Sequence, residues 1–369
     1  MLGAIIGDVV GSRWEFHVTN NYNFECFSNA NGFTDDTICT IAIADALMNN
    51  RDYADSLRDW CHRYPNPMGG YGSRFRKWLM SNTYLPYQSF GNGSAMRVSP
   101  ATWIFSCVYD VLHEAEAVAK CTHNHREGIK GAQAVAWAIY ACRSLHKKTG
   151  DITSQEIEKV LRPIAEYCHY DIDIHKEDVL NKFDETCQGT IPVAFWIICQ
   201  SFSFEDAIRK AVSLGADADT LGAIVGSIAE AIWGIPEWMK KEVMSFLPFE
   251  MKIVIQDFYR CLDRLPRLLS RCHYYQGERI SPYADKDLCM AWRIEHEWAV
   301  DLAKHYSNAD KIVQQMEKYC GLKQWQEWAD FYQIPVSLVG YIFRYTADEG
   351  MFMHECVGSF LSFLNRYYK

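Results

Sequence analysis

The sequence lacks several features that would place it in a familiar class of protein. It has no run of about 18 apolar residues, the length that a membrane-spanning helix needs. It has no block of Lys and Arg, and its net charge is −9, which argues against a surface that binds a phosphate backbone. We therefore expect neither a membrane nor nucleic acid as the primary partner.

The fourteen cysteines form no C-x-x-C pair and stand singly, mostly inside apolar runs. This pattern is typical of buried free thiols and not of a disulfide framework. The first residues show no charged region followed by a long apolar stretch, as a secretory signal would. These absences predict a cytoplasmic protein.

What the sequence does contain is helical periodicity. Of its 369 residues 49% are hydrophobic, enough for a large core in one domain or two smaller ones. Stretches rich in Ala, Leu and Ile, with small residues where helices would approach closely, occupy residues 38–48, 131–145 and 221–232. Gly and Pro separate them, and no series of alternating strands emerges. The sequence predicts an all-α protein in which helices pack against helices.

The composition changes near residue 265. From there to Lys369 the chain is rich in Trp, Tyr and Phe, the regular spacing of small residues stops, and no cluster of carboxylates appears. We interpret residues 1–264 as one domain that carries the functional motifs, and residues 265–369 as a helical C-terminal extension of unknown role. The aromatic residues of the extension are more typical of a core than of a ligand cage.

Two short acidic clusters are the most informative motifs. Each opens an alanine-rich helical stretch, and they read Thr34-Asp35-Asp36-Thr37 and Asp217-Ala218-Asp219-Thr220. Their four carboxylates and adjacent hydroxyls form a hard-oxygen set suited to Mg²⁺ or Mn²⁺. The alternative is that each cluster only caps its own helix. If the two helix starts converge, four like charges meet, which is costly unless cations neutralise them.

A glycine-rich stretch, Gly91-Asn92-Gly93-Ser94-Ala95-Met96-Arg97, lies between the two clusters. Consecutive small residues expose backbone amides and let a phosphate or a sugar approach closely. No Lys-Ser or Lys-Thr follows the last glycine, so the stretch is not a Walker loop. A plain turn is the alternative on this stretch alone.

Three further side chains are candidates for a site. His123 and His125, two residues apart, would point to different sides of a helix, and no third ligand at zinc spacing accompanies them. One of them contacts a ligand, or both are capping or core histidines. Glu15 stands between aromatic residues after a glycine turn, where desolvation would raise its pKa and suit it to acid or base catalysis. A surface glutamate is the commoner alternative.

Taken together, these pieces resemble the ADP-ribosylglycohydrolases, of the type of the dinitrogenase-reductase-activating glycohydrolase and the ADP-ribosyl-acceptor hydrolases. The resemblance covers roughly residues 1–240, and the combination is specific although no single motif is. The motifs, in the family's order, are Gly3-Ala4-Ile5-Ile6-Gly7-Asp8, Glu15, Thr34-Asp35-Asp36-Thr37, Gly91 to Arg97, Thr122-His123 and Gly215 to Ile224.

The resemblance implies an orthogonally packed multi-helix bundle with two divalent cations, Mg²⁺ or Mn²⁺, at the base of an ADP-ribose cleft. The implied metal ligands are Thr34, Asp35, Asp36, Asp217, Asp219 and Thr220. The implied substrate-binding residues are Gly91, Asn92, Gly93, Ser94, Met96 and His123. Glu15 and Asp36 are the implied catalytic residues, one of which transfers a proton.

The implied activity is metal-dependent hydrolysis of the glycosidic bond between ADP-ribose and a modified protein side chain, with arginine favoured. The partner is then an ADP-ribosylated protein or a small molecule that contains ADP-ribose. Alternatives are a hydrolase of serine-linked or small ADP-ribosyl compounds, a module that binds ADP-ribose without turnover, and a structural or regulatory member. Glu230 departs from the family's pattern, because it stands in a helix where a small residue is common.

Overall fold

The computed structural model describes residues 1–49, 51–83, 85–105, 108–146, 152–264, 274–275 and 278–279. The chain divides into two compact units. One comprises residues 1–44, 52–103 and 111–255, and the other comprises residues 45–51 and 104–110 and the chain from residue 256 onward. The first unit contains every residue predicted for the site.

The described residues form fourteen α-helices, two 3-10 turns and one two-stranded ladder. The helices are α1 (Leu2–Gly11), α2 (Asp35–Asn49), α3 (Tyr53–Arg63), α4 (Ser73–Met80), α5 (Ser99–Ile104), α6 (Val108–Lys120), α7 (Arg126–Cys142), α8 (Ser154–Tyr167), α9 (Lys176–Val179), α10 (Cys187–Cys199), α11 (Phe204–Ser213), α12 (Ala218–Trp233), α13 (Glu237–Phe246) and α14 (Phe249–Arg264). The 3-10 turns are Ser12–Trp14 and Asn92–Ser94, and β1 (Tyr274–Tyr275) pairs antiparallel with β2 (Glu278–Arg279).

The predicted all-α class is confirmed, and the three predicted helical stretches lie in α2, α7 and α12. The predicted C-terminal end of the second stretch, residue 145, is wrong: α7 ends at Cys142, and Leu145 lies in the turn beyond it. Apart from β1 and β2, the predicted extension, residues 265–369, lies outside the described residues, so its helical character and its role stay predictions. Among the helices that the structure describes, none is long and apolar enough to cross a membrane.

Helix α12 is the centre of the first unit. Every residue from Ala218 to Ile232 is buried, and α1, α7, α10 and α11 all pack against it. Apart from Asp219 and Glu230, its residues are apolar or small around the whole circumference, as expected for a helix that is covered on all sides.

Helices α1 and α12 lie unusually close because glycines face each other along their contact. A methyl group on Gly222 would lie 2.6 Å from the carbonyl oxygen of Gly7, and a methyl group on Gly7 would overlap the backbone of Gly222. No side chain fits at either position while the helices stay where they are. This contact sets Asp8 of α1 beside the first turn of α12.

Glu230, which stands where a small residue was expected, is buried with its carboxylate paired. Its Oε2 accepts hydrogen bonds from the Gly3 amide at 2.8 Å and from the Met1 ammonium group at 2.6 Å. These bonds supply an acceptor for donors at the start of α1, and they pair the charge of the buried carboxylate. The departure therefore replaces small-residue packing with a hydrogen-bonded contact between the same two helices.

Candidate active site

The two acidic clusters converge in the fold. Helix α2 begins at Asp35 and α12 at Ala218, and the Thr220 hydroxyl of α12 donates to Asp36 Oδ2 of α2 at 3.1 Å. The Thr34 hydroxyl is also close to this carboxylate: its Oγ1 is 3.5 Å from Asp36 Oδ2. Two helix starts that are far apart in sequence thus form one site, since Asp36 and Thr220 are separated by 184 residues.

Asp8 links α1 to the start of α2. Its carboxylate accepts from the Thr34 amide at 3.1 Å, the Thr34 hydroxyl at 2.8 Å and the Thr37 amide at 3.0 Å, and also from the Thr37 hydroxyl. In the sequence, Asp8 belongs to the opening motif and is not among the predicted site residues. The signal that could have found it is a lone carboxylate in an otherwise apolar helix, since such a group needs buried partners.

Asp217 does not cap the helix that it precedes. Its side chain makes no capping hydrogen bond to α12, and its Oδ2 instead accepts from Asn92 Nδ2 at 2.8 Å. One carboxylate oxygen each from Glu15, Asp217 and Asp219 lie within 4.8 Å of one another. The capping alternative holds for Thr34, whose Oγ1 accepts from the Asp36 amide at 3.2 Å, but not for Asp217.

We call these six carboxylates the acidic centre: Asp8, Glu15, Asp35, Asp36, Asp217 and Asp219. Three of its oxygens are shielded from solvent and have no hydrogen-bond partner among the described residues, namely Asp36 Oδ1, Asp219 Oδ1 and Glu15 Oε2. Such atoms are costly unless they face a proton or a cation. The donor set is all oxygen and mostly carboxylate, which fits a hard divalent cation.

Burial is the main cause of raised pKa values throughout the acidic centre, and the charges of neighbouring carboxylates add to it in every group except Asp8, where hydrogen bonds from Thr34 and Thr37 oppose it. Burial raises the pKa of Asp8 to about 6, of Asp217 to about 7 and of Glu15 to about 9. The pKa values of three further carboxyl groups lie well above their usual range, those of Asp35, Asp36 and Asp219. Without a cation, the centre therefore holds protons at neutral pH.

Glu15 follows the 3-10 turn Ser12–Trp14 and is half-buried. The backbone of Gly69 lies directly against its carboxylate: a methyl group on Gly69 would overlap Glu15 Oε2. Gly69 also has a φ of +73°, which favours glycine. No local pattern in the sequence links Gly69 to Glu15, so this contact was not predicted.

Gly69 and Gly70 form a matched pair for testing this contact. Gly70 has a φ of +84° but nothing within 4 Å of its missing side chain. We expect Gly69→Ala and Gly70→Ala each to lower the unfolding free energy by about 1 kcal/mol through backbone strain. Only Gly69→Ala should also lower kcat, by about tenfold or more, since it displaces Glu15. Thermal unfolding and initial rates measure both effects, and equal rate losses in the two variants would contradict the contact.

The glycine loop, residues 91–94, is tied to the start of α10 and is more than a plain turn. Gly91 pairs with Thr186 in an isolated antiparallel bridge, the Asn92 amide donates to the Glu185 carbonyl at 2.7 Å, and the Cys187 amide donates to the Phe90 carbonyl at 2.9 Å. The Asn92 side chain reaches from this loop to Asp217. The loop therefore lies beside the acidic centre.

Ser94, the last residue of the glycine loop, and Met96, which follows it, are both buried. The Ser94 hydroxyl donates to the Gly128 carbonyl at 2.7 Å, at the first turns of α7. Gly91 and Gly93 are half-exposed, so their backbone lies open to a ligand. Contact of all six predicted residues with substrate stays a prediction.

The two histidines have different environments. His125 Nδ1 accepts from the Glu127 amide at 3.1 Å and caps α7, as the capping alternative predicted. His123 is buried, and its Nε2 lies 3.3 Å from where a methyl group on Gly93 would stand. Burial first, and then the charges of Arg97 and Arg74, hold the pKa of His123 well below its usual value. His123 is therefore a neutral imidazole on the glycine loop.

The fold and the site define a class: an all-α protein whose buried carboxylate centre can hold divalent cations next to a loop of open backbone. The family model for ADP-ribosylglycohydrolase matches residues 1–273. The chain belongs to the ADP-ribosylglycohydrolase family, and it is a glycohydrolase enzyme.

Relatives agree with this family. The ADP-ribosylarginine hydrolase Tri1 of Pseudomonas putida (strain GB-1) is 27% identical over 289 residues, which cover 66% of this chain and 73% of the relative. The ADP-ribosylhydrolase ARH3 of Mus musculus is 24% identical over 337 residues, covering 70% of this chain and 90% of the relative. A solved structure, described as an ADP-ribosylglycohydrolase-related protein complex, has a similar fold with a TM-score of 0.53 at 23% identity, covering 70% of this chain and 95% of that chain.

Proposed function

We propose that this chain hydrolyses the glycosidic bond between ADP-ribose and a modified protein side chain, with the help of two divalent cations, Mg²⁺ or Mn²⁺. The observation that carries the proposal is the convergence of buried carboxylates with unpartnered oxygens from two distant helix starts. The residues that would hold the cations are Thr34, Asp35 and Asp36 on one side and Asp217, Asp219 and Thr220 on the other.

The charges around the site support an ADP-ribose ligand. With cations bound, the carboxylates of the acidic centre would be ionised and would face the cations and the ribose hydroxyls. Arg97 and the exposed Arg74 act electrostatically on His123, beside the glycine loop, so this end of the site is positive. A diphosphate on the open backbone of Gly91 and Gly93 would lie near these charges.

When bound, the cations supply Lewis-acid polarisation of the sugar hydroxyls and lower the pKa of an attacking water. The chain's own residues supply the rest. Cleavage at the anomeric carbon develops positive charge, which nearby carboxylates stabilise. Glu15 is our first choice for proton transfer, because it is half-exposed, its Oε2 is unpartnered and its pKa is raised to about 9. Asp36, which is buried and holds Thr220, is the second candidate.

Arginine is the acceptor that we favour. The exposed Glu185 acts electrostatically on both Glu15 and Asp217, so the edge of the acidic centre carries further negative charge. Such an edge favours a cationic guanidinium over a neutral hydroxyl. The name of the Pseudomonas putida relative supports the same choice. Serine-linked and small ADP-ribosyl compounds are the alternatives.

The test measures release of free ADP-ribose from arginine-modified and serine-modified peptides in parallel, with Mg²⁺, with Mn²⁺ and with EDTA. We expect release from the arginine peptide with either cation and none with EDTA. Release from the serine peptide alone would correct the acceptor. Full release in EDTA would overturn the metal dependence, and binding of ADP-ribose without any release would overturn the hydrolase mechanism.

A further inference from the structure

A chain of buried hydrogen bonds runs from an arginine to the histidine on the glycine loop. Arg97 Nη2 donates to Thr122 Oγ1 at 2.7 Å, and Thr122 Oγ1 lies 2.7 Å from His123 Nδ1. The relative exposures of Arg97, Thr122 and His123 are 1%, 0% and 5%. Water therefore does not compete for the two inner bonds.

The direction of the hydrogens follows from what each group can do. A guanidinium only donates, so Thr122 Oγ1 accepts from Arg97. The single hydrogen of the Thr122 hydroxyl then needs an acceptor, and His123 Nδ1 at 2.7 Å is a stronger acceptor than the neighbouring Cys121 sulfur. If Nδ1 carried a proton instead, that buried hydroxyl hydrogen would be left with only the weak sulfur acceptor. Nδ1 is thus unprotonated, and the neutral ring carries its proton on Nε2.

The protonated Nε2 faces the glycine loop. It lies 3.3 Å from where a methyl group on Gly93 would stand and 3.6 Å from the same point on Gly91, and it has no hydrogen-bond partner in the residues that the structure describes. An N–H group without a partner at the open backbone of a loop is suited to an acceptor on a ligand.

In the described part of the chain no carboxylate hydrogen-bonds Arg97, although its charge acts on Asp35 of the acidic centre. Its hydrogen-bond partners in the described chain are neutral: the Val118 carbonyl at 3.0 Å, the Thr122 hydroxyl and the Cys121 sulfur at 3.6 Å. A buried cation with neutral partners favours an anion nearby. The acceptor at the glycine loop is therefore best matched by an anionic phosphate oxygen.

We propose that Arg97 and Thr122 are positioning residues that hold His123 in its neutral Nε2–H form, aimed at a phosphate oxygen of the bound diphosphate. This inference rests on the proposed function, because that function supplies ADP-ribose as the ligand. A free neutral imidazole exchanges its proton between two nitrogens and turns about its side-chain bonds. The hydrogen bonds from Arg97 through Thr122 to His123, called the relay below, fix both the proton position and the ring orientation before the ligand binds.

The first measurement is the nitrogen NMR spectrum of the imidazole groups in the full chain. Loss of one set of signals in His123→Gln assigns His123. We expect the wild-type signals of a fixed Nε2–H form, with the unprotonated nitrogen at Nδ1. Signals of an Nδ1–H form, or of a rapid mixture, would overturn the relay, and this result needs no folded Thr122 or Arg97 variant.

The second measurement is the affinity for ADP-ribose with Mg²⁺ present, by calorimetry. Thr122→Val removes the hydroxyl at almost constant volume, and we expect about tenfold weaker binding and a mixed His123 spectrum. Thr122→Ser keeps the hydroxyl and should restore both. Thr102→Val is the matched control: Thr102 is equally buried and donates to the Ser99 carbonyl at 2.7 Å, so the variant should bind as the wild type does.

The outcomes separate the relay from the proposed function. A wild type that binds no ADP-ribose would overturn the proposed function, whereas a fixed Nε2–H spectrum in that protein would still support the relay. Binding and spectrum both unchanged in Thr122→Val would overturn the relay in an active hydrolase. Equal losses of affinity in Thr122→Val and Thr102→Val would also overturn it, since they would reflect only a lost buried hydrogen bond.

Discussion

Replacing Asp219 with Asn should abolish ADP-ribose release and at the same time raise the melting temperature of the metal-free protein. Asp219 is buried, its Oδ1 has no partner among the described residues, and the charges of Asp217 and Asp8 oppose its ionisation. The amide removes a like charge from the acidic centre and with it a ligand for the cations. We expect a loss of about 10³-fold or more in kcat and, in EDTA at pH 8, a rise in Tm of about 2 °C or more.

The matched control is Asp206→Asn. Asp206 is also a buried aspartate, but its carboxylate is paired: it accepts from Lys210 Nζ at 2.8 Å, from the Tyr22 hydroxyl at 2.6 Å and from the Phe202 amide at 3.1 Å. This variant should lower Tm and leave kcat unchanged, which is the opposite of Asp219→Asn in both respects. If Asp219→Asn instead lowered Tm in EDTA and kept its activity, Asp219 would be a structural residue and not part of a cation site.

The sequence predicted the parts of this site that local patterns encode. An acidic pair before an alanine-rich stretch indicated the starts of α2 and α12, and both helices begin there. Convergence of these starts depends on a distant contact, the approach of α1 to α12 at Gly7 and Gly222. The sequence of neither helix alone shows that it packs against the other. The sequence could therefore not predict that the four carboxylates converge, only what would follow if they did.

Two other residues have partners that local sequence does not reveal, for related reasons. Asp8 looks like one polar residue in an apolar helix, and only the positions of Thr34 and Thr37 show what it binds. Gly69 is far from Glu15 in sequence, and a glycine before a second glycine reads as an ordinary turn. The sequence did not decide whether His123 and His125 cap a helix or contact a ligand, since a histidine can do either. The fold assigns capping to His125 and leaves His123 on the glycine loop.

The metal-free protein should lose stability as the pH rises from about 4 to about 9. The ordinary pKa of an aspartate is 3.8 and that of a glutamate 4.5, whereas in the fold Asp8 titrates at about 6, Asp217 at about 7 and Glu15 at about 9. Between the two values of each group the folded state binds more protons than the unfolded state, so the free energy of unfolding falls with rising pH. The contribution is fully present below pH 3.8 and is lost above the folded-state pKa.

The measurement is chemical or thermal unfolding in EDTA at several pH values between 5 and 8, a range within which the buried Asp8 and Asp217 lose their extra protons. Asp35, Asp36 and Asp219, whose pKa values are also raised, should add to the change, whereas solvent screens the half-exposed Glu15. Asp219→Asn serves as the comparison, since one like charge fewer should make the slope flatter, while groups elsewhere titrate alike in both proteins. A slope that is zero or positive in the wild type would contradict the raised pKa values.

Addition of Mg²⁺ or Mn²⁺ should reverse this loss, and more strongly at pH 8 than at pH 5. A cation binds the deprotonated carboxylates, so at pH 5 it competes with the protons that the acidic centre still holds. At pH 8 the carboxylates Asp8 and Asp217 are ionised and repel their neighbours, and a cation that binds only the folded state stabilises it by mass action. The gain in Tm on adding the cation should therefore grow with pH in the wild type and be small at every pH in Asp219→Asn. An equal gain at both pH values would mean that the cation binds away from the acidic centre.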